Sequence, residues 1–281
     1  MCIRDSFQLA REMDVMQKMK DMQSGKRVNY SEKRSVLHTA TRDVFTASAR
    51  SLEAEKASKL ATIELEKLSE FLKEINRENQ FTDIVQIGIG GSSLGPKCIS
   101  YALKYLRKNT RKIHFLSNVD PDAVASLLRQ INPSTTLFIA VSKSGTTSET
   151  VTNVHFISEH LKKHRLNPRD HLVSVTEKGT LMDDSEKYRH IFYIWDYIGG
   201  RYSVTSMVGA VIISCLVGEE IYLEVLKGAH SMDKIALVED LAKNLPLLSA
   251  LLNIWNHNFL KFPTKAILPY SEGLMLSLIH I

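Results

Sequence analysis

A short hydroxyl-rich segment, residues 142–147 (SKSGTT), carries side chains that suit the binding of a phosphate monoester. It offers four hydroxyl groups, the ammonium of Lys143 and a glycine that permits close approach of the backbone. Such donors, at the start of a helix and beside a positive charge, are the usual partners of a phosphate group. The GxxxxGK[ST] spacing of nucleoside triphosphate sites is absent, so the segment predicts a phosphate site without a nucleotide. The alternative is a Ser/Thr-rich helix start, in which Thr146 and Glu149 form a capping box.

A glycine-rich segment, residues 87–95 (IGIGGSSLG), is the second candidate for ligand binding. Its glycines allow backbone NH groups to approach an anion. Ser93 takes the place of the third glycine in the GxGxxG dinucleotide fingerprint, and no acidic residue lies about 20 positions further on. A dinucleotide site is therefore disfavoured, and the alternative for this segment alone is a tight turn between a strand and a helix.

Two further sets of residues have a chemical interpretation and a structural alternative. Arg201 lies in residues 199–203 (GGRYS), where its guanidinium could stabilise a developing oxyanion, or form a structural salt bridge instead. His160 and His164 are four residues apart, a spacing that can bind metal on a helix. The adjacent lysines and the lack of a third ligand favour a solvated helix face, so no metal is predicted.

The elements that must position these residues follow from the pattern of apolar positions. Residues 48–79 predict a long amphipathic helix, because apolar residues recur at steps of three and four. After residue 81, short β-branched runs alternate with helical stretches, which is typical of βαβ units. The predicted strands are 84–89, 113–116, 137–141, 172–175 and 191–194.

The predicted helices after the first strands include one that Asp120 caps and Pro121 begins, and one that runs from about residue 147 to 163. Two apolar helical stretches, 207–217 and 245–259, come later and precede a strand-like segment at 266–269.

The fold class predicted from this pattern is α/β, a doubly wound five-stranded parallel sheet in the order 2-1-3-4-5. An N-terminal helical region (1–79) precedes the sheet domain (80–218), and a helical connection (219–281) follows it. In such sheets ligands bind beyond the carboxyl ends of the strands, where the strand order reverses. This order would bring Ser92 close to residues 142–147.

Composition narrows the classes of protein that fit. The chain has 281 residues, 44% of them hydrophobic, and a formal charge of +5 with basic and acidic residues interleaved. Nucleic acid is therefore a weak hypothesis, whereas a small anionic ligand suits the balance. No apolar run reaches the roughly 18 to 20 residues of a membrane span. The three cysteines lack CxxC spacing, which predicts reduced thiols and a cytoplasmic protein.

Three segments, read together, resemble the signatures of the glucose-6-phosphate isomerase family: 87–96 (IGIGGSSLGP), 142–150 (SKSGTTSET) and 199–203 (GGRYS). Residues 25–42 and 266–271 are similar to other segments of that family, so the resemblance covers about residues 25–274. Residues 1–6 and 275–281 do not continue the pattern, and we interpret these ends as foreign to an incomplete gene.

The resemblance implies interconversion of glucose 6-phosphate and fructose 6-phosphate through a cis-enediolate, without metal or cofactor. It also implies two sugar-isomerase domains in a homodimer, the second domain being truncated here. The implied catalytic residues are Arg201, which would face the enediolate, and Glu149. The implied substrate-binding residues are Gly91, Ser92, Ser142, Lys143, Ser144, Gly145, Thr146, Thr147 and Gly200.

The carboxylate base, the ring-opening histidine and a late lysine of that family would lie beyond residue 281. Turnover by this chain alone is therefore not expected. Two alternatives remain open: a non-catalytic phosphosugar-sensing module, and a different enzyme of the same domain class, such as an aminosugar isomerase or a deaminating synthase.

Overall fold

The computed structural model describes residues 3–46, 51–107, 110–267, 270, 273 and 274. The chain divides into two compact units, one of Met1–Lys59 and Glu224–Leu268 and the other of Leu60–Leu223 and Pro269–Ile281. The boundaries of these two units differ from those of the three regions expected from the sequence, 1–79, 80–218 and 219–281. The three-region division stays a prediction.

The larger unit is built around a parallel sheet in the strand order β2-β1-β3-β4-β5, as predicted. Its strands are β1 (Asp83–Ile87), β2 (Lys112–Leu116), β3 (Thr136–Val141), β4 (Leu172–Thr176) and β5 (His190–Tyr193). The predicted first strand extended two residues too far, because the backbone leaves the sheet at Gly88 and turns through Gly90, whose φ is +58°.

The α-helices of the described residues are α1 (Ile3–Glu12), α2 (Val15–Gln23), α3 (Leu52–Glu78), α4 (Leu94–Ala102), α5 (Pro121–Gln130), α6 (Ser148–Lys163), α7 (Pro168–His171), α8 (Met207–Val217), α9 (Glu219–Ile235) and α10 (Leu245–Asn258). The predicted start of α3 at residue 48 lies outside the described residues. Within the described part of the chain, no helix has the length and apolar character needed to cross a membrane.

The predicted strand at 266–269 is wrong for its first two residues. Ala266 is exposed, Ile267 is partly exposed, and neither pairs with a strand of the described chain. A short apolar run forms a strand only where another strand edge is within reach, which sequence alone does not reveal. The other two residues of that prediction lie outside the described residues.

Helices cover both faces of the sheet, as a parallel sheet requires. On one face, apolar side chains of β1 and β3 share a core with α5 and α6: Val85, Ile87, Phe138, Ala140, Val124, Leu127, Ile157 and Leu161. The other face carries α8, which contacts β1, β2 and β3 and whose residues are all buried. Two helix layers therefore hold the central strands rigidly, and their carboxyl ends with them.

The smaller unit has its own core. In it, α1 packs against α10, and Ala10, Leu241 and Leu251 are buried together. The guanidinium of Arg42 pairs with the carboxylate of Asp233, and both side chains are largely buried. None of the residues predicted to bind a ligand belongs to this unit.

Candidate functional site

The glycine-rich and hydroxyl-rich segments leave the sheet side by side. β1 and β3 are parallel neighbours, with Ile87 opposite Ala140 in the register. A Cβ added to Gly88 would lie 3.1 Å from the carbonyl oxygen of Val141, so the two segments touch where they leave the sheet. Both therefore begin at the carboxyl edge, at the reversal of strand order where ligands of this fold class bind.

The four hydroxyl side chains of residues 142–147 form two pairs. Ser142 Oγ lies 2.8 Å from Thr147 Oγ1, and Ser144 Oγ lies 3.0 Å from Thr146 Oγ1. Ser142 is buried, whereas Ser144 and Thr146 are exposed. The loop thus presents hydroxyls from its buried base to its solvent side, which suits the several oxygens of one phosphate group.

Gly145 gives this loop its shape. Its φ is +66°, and an added Cβ would lie 2.7 Å from the Cβ of Thr180. Thr180 in turn pairs with Thr176, whose hydroxyl donates to the carbonyl oxygen of Ser142 at 2.8 Å. Two threonines at and after the end of β4 therefore support the loop from behind.

The first turn of α6 lacks a side-chain cap. Thr147 is the N-cap residue, but its side chain makes no capping hydrogen bond, since its hydroxyl pairs with Ser142. The alternative of a capping box is not realised: the hydroxyl of Thr146 is directed to Ser144, and Glu149 accepts from its neighbour Ser148 at 3.4 Å. Among the described residues no side chain caps this helix start, so its first amides and the positive end of the helix dipole are available to an anion.

Lys143 lies in this loop but does not turn its ammonium towards the hydroxyls. Its Nζ donates to the carbonyl oxygen of Asp196 at 3.3 Å and to that of Ile198 at 3.2 Å. Both acceptors belong to the segment after β5. The sequence suggested Lys143 as a partner of the phosphate, whereas in the structure its ammonium binds two backbone carbonyl groups.

The segments after β1 and β5 meet backbone to backbone. A Cβ added to Gly91 would lie only 2.1 Å from the carbonyl oxygen of Gly200, a distance that no side chain can occupy. The hydroxyl of Ser203 also reaches the carbonyl oxygen of Gly91 at 3.4 Å. Ser92 lies beside this contact, and its carbonyl oxygen accepts from Gln86 Nε2 at 2.6 Å. Glycine at position 91 is therefore a packing requirement of the site.

Arg201 lies in the short 3₁₀ helix Gly200–Thr205 that precedes α8. Its side chain is exposed, and among the described residues it has no ion pair. The structural salt bridge considered from the sequence is thus not formed within the described chain. Nearby, burial raises the pKa of Tyr197 well above its usual value, with Asp196 adding to the shift, so this phenol stays protonated at physiological pH.

The rings of His160 and His164 lie against each other at the C-terminal end of α6, with ring centroids 4.6 Å apart and a tilt of 54° between their planes. Burial lowers the pKa of His160, and the neighbouring His164 and Lys163 lower it further, which keeps this ring neutral at pH 7. Among the described residues, no group of three or more His, Cys, Asp or Glu side chains could hold a metal ion. The pair is separate from the loops at the sheet edge.

The amino-acid sequence matches a known protein family over almost its entire length. A model described as phosphoglucose isomerase matches residues 2–281, nearly the whole chain. The chain belongs to the phosphoglucose isomerase family. The match confirms the family suggested by the three motifs, and it extends beyond the range of about 25–274 expected from them.

Members of the phosphoglucose isomerase family with curated names are close in sequence. Glucose-6-phosphate isomerase of Protochlamydia amoebophila (strain UWE25) is 49% identical over 280 residues, covering 98% of this chain and 52% of the relative. The protein of the same name from Chlamydia caviae is 48% identical over 271 residues, covering 95% of this chain and 51% of the relative. The chain thus spans about half the length of the curated relatives it matches.

A solved structure agrees with the fold. The crystal structure of a glucose-6-phosphate isomerase from Chlamydia trachomatis D/UW-3/Cx superposes with a TM-score of 0.95 at 40% identity. The match covers 99% of this chain and 55% of that chain. The α/β sheet with its helices is therefore that of the phosphoglucose isomerase family.

Three supporting residues escaped the sequence interpretation. Gln86 is a fully buried amide inside β1, and it ties the glycine-rich loop and the start of α8 to the strand through the carbonyl oxygens of Ser92 and Val208. Thr176 and Thr180 support the hydroxyl-rich loop. A glutamine between the apolar residues Val85 and Ile87 of a strand was a visible signal, whereas the two threonines looked like ordinary turn residues.

Proposed function

We propose that this chain forms the phosphosugar-binding part of a glucose-6-phosphate isomerase, which interconverts glucose 6-phosphate and fructose 6-phosphate. The observation that carries the proposal is the uncapped start of α6, lined by four hydroxyls, at the reversal point of the sheet. Family membership supports the same reading of the site. No nucleotide, metal or other cofactor is required for this role.

The phosphate would bind at the start of α6, where backbone amides and hydroxyls neutralise its charge. The loops after β1 and β5 would bound the sugar side, and the exposed guanidinium of Arg201 would stabilise the negative charge that develops on the enediolate oxygen. Glu149 belongs to the same helix turn. The proposed substrate-binding set is Gly91, Ser92, Ser142, Ser144, Gly145, Thr146, Thr147 and Gly200, with Lys143 in the same loop.

Proton transfer between C1 and C2 needs a carboxylate base, and ring opening needs an acid-base group such as histidine. We assign neither to a described residue of this chain. Since the chain spans about half of its curated relatives, we propose that these groups come from the remainder of the full-length enzyme. The chain alone would then bind the sugar phosphate without turning it over.

A cytoplasmic location and assembly of the full-length enzyme as a homodimer complete the proposal. The three cysteines without disulfide spacing and the mild net charge of +5 support a reduced compartment and a small anionic substrate rather than nucleic acid.

Titration calorimetry with glucose 6-phosphate, fructose 6-phosphate and glucose tests the binding role. The two phosphosugars should bind and glucose should not. Ser144→Ala combined with Thr147→Ala should weaken binding at least about tenfold, or about 1.4 kcal/mol. Thr152→Ala, an exposed threonine of α6, is the matched control and should leave the affinity unchanged. Equal affinity for glucose and glucose 6-phosphate would refute a phosphate anchor.

A coupled assay on the full-length natural gene product separates the enzyme from the sensing module. Formation of glucose 6-phosphate from fructose 6-phosphate is the expected result. Retained phosphosugar binding without any turnover would instead establish a sensor.

A further inference from the structure

The ammonium of Lys143 joins two segments that come from different strands. Its donors reach the carbonyl oxygens of Asp196 and Ile198, 53 and 55 positions further along the chain. The backbone of Lys143 is itself fixed, because its carbonyl oxygen accepts from the amide of Glu177 at 3.0 Å. A cation on a fixed backbone therefore holds the segment after β5 from one side.

The same segment is held from its other end by the glycine contact. Gly200 O lies 2.1 Å from the position that a Cβ of Gly91 would take, so the backbone at position 200 cannot move towards the β1 loop. In and just beyond the part between these two restraints, Ile198 N donates to Trp195 O and Tyr202 N donates to Gly199 O, both short-range hydrogen bonds. Arg201 directly follows the restrained residues.

We propose that Lys143 is a positioning residue that anchors the segment carrying Gly200 and Arg201, rather than a direct partner of the phosphate. Two of its three N–H donors are used by neutral carbonyl groups. Displacement of a catalytic group by about 1 Å can cost about 100-fold in rate, so an anchor of this kind matters for the chemistry. The inference rests on the proposed function only for the role of Arg201, and the anchor itself can be tested without ligand.

Hydrogen–deuterium exchange of the ligand-free 281-residue chain provides that test. Lys143→Met removes the donors and keeps an unbranched apolar side chain. The exchange rate of residues 195–203, taken as a ratio to that of β3 in the same sample, should rise at least about tenfold, because local opening of the segment becomes easier. The ratio cancels any overall loss of stability.

Two variants act as controls. Lys178→Met removes an exposed lysine from the turn after β4 and should leave the ratio unchanged. Lys143→Arg retains a charged donor of similar reach and should recover at least half of the lost protection. An unchanged ratio in Lys143→Met, or an arginine variant as unprotected as the methionine variant, would overturn the anchor.

Binding measurements on the same variants separate this inference from the proposed function. If Lys143→Met leaves the exchange ratio unchanged but weakens inorganic phosphate binding at least about tenfold, Lys143 is a direct phosphate ligand and the anchor is refuted. If the unmodified chain binds no phosphosugar, the proposed function fails, and the exchange ratio still decides the anchor.

Discussion

Two helices that start at the same edge of the sheet begin in opposite ways. α5 follows β2, and the Asp120 carboxylate accepts from the amide of Asp122 at 3.0 Å, with Pro121 in the first turn. α6 follows β3, and Thr147 at the equivalent position leaves the amides unused because its hydroxyl pairs with Ser142. One start is satisfied by its own side chain, and the other stays open to an external anion. A helix start without a side-chain cap, in a loop whose hydroxyls pair with one another, can therefore indicate a binding site.

Thr147→Asp would remove this difference and should have the largest effect. A carboxylate at the N-cap would occupy the amides of α6 as Asp120 does in α5, and it would repel a phosphate. Glucose 6-phosphate affinity should fall at least about 100-fold, while the free energy of unfolding rises by about 0.5 to 1 kcal/mol. Calorimetry and thermal unfolding measure the two effects. A variant that binds as well as the parent chain would show that the amides of α6 do not contact the ligand.

Gly145→Ala should be the next most damaging change. The positive φ disfavours alanine, and the new Cβ would meet Thr180 at 2.7 Å. We expect about 2 kcal/mol of destabilisation, and about a thirtyfold loss of phosphosugar affinity as the loop shifts.

Gly179→Ala is the matched control for that change, because its φ of +80° carries the same backbone strain but the Cβ would meet no atom within 4 Å. It should cost about 1 kcal/mol of stability and leave binding unchanged. Equal losses of affinity in both variants would show that close contact at Gly145 does not shape the site.

The pH dependence of phosphosugar binding should reveal the charge that the open start of α6 prefers. A phosphate monoester loses its second proton near pH 6, and an open helix start prefers the dianion. Protonation of the ligand therefore opposes binding, and affinity should fall up to about tenfold between pH 7.5 and pH 5. Glucose 6-sulfate stays a monoanion over this range and serves as the control. A parallel decline for the sulfate ester would place the titrating group on the protein instead.

Asp120→Ala should have the smallest effect, lowering stability without changing phosphosugar affinity. Removing the cap of α5 should lower the free energy of unfolding by about 1 kcal/mol, measured by urea denaturation. Phosphosugar affinity should stay within about twofold of the parent value. A large loss of affinity would mean that the two helix starts are not independent.

Much of the fold was readable from the sequence because local signals agreed with the tertiary arrangement. Alternating strands and helices predicted the parallel sheet and its order, and the Asp120 and Pro121 pair marked the start of α5. The segment 266–269 shows the limit of this reasoning. Apolar residues predicted a strand there, but whether a partner edge is present depends on the whole chain.

The sequence predicted which residues make up the candidate site, but not all of the contacts that they make. Residue types and spacing placed the hydroxyls at a helix start, and the strand order brought the loops to one edge. The direction of the Lys143 side chain depends on the position of a segment more than 50 residues away, so no local pattern encodes it. Gln86 donates to a backbone carbonyl oxygen. Because every residue has such an oxygen, the sequence does not identify its partner.

The backbone contact between Gly91 and Gly200 limits the substitutions that this part of the molecule can accept. Any side chain at position 91 would have to separate two main chains. The distance between the loops after β1 and β5 is therefore set at this point by bare backbone. Under the proposed function, selection for a different sugar would have to act on side chains near this contact, because the two main chains already touch.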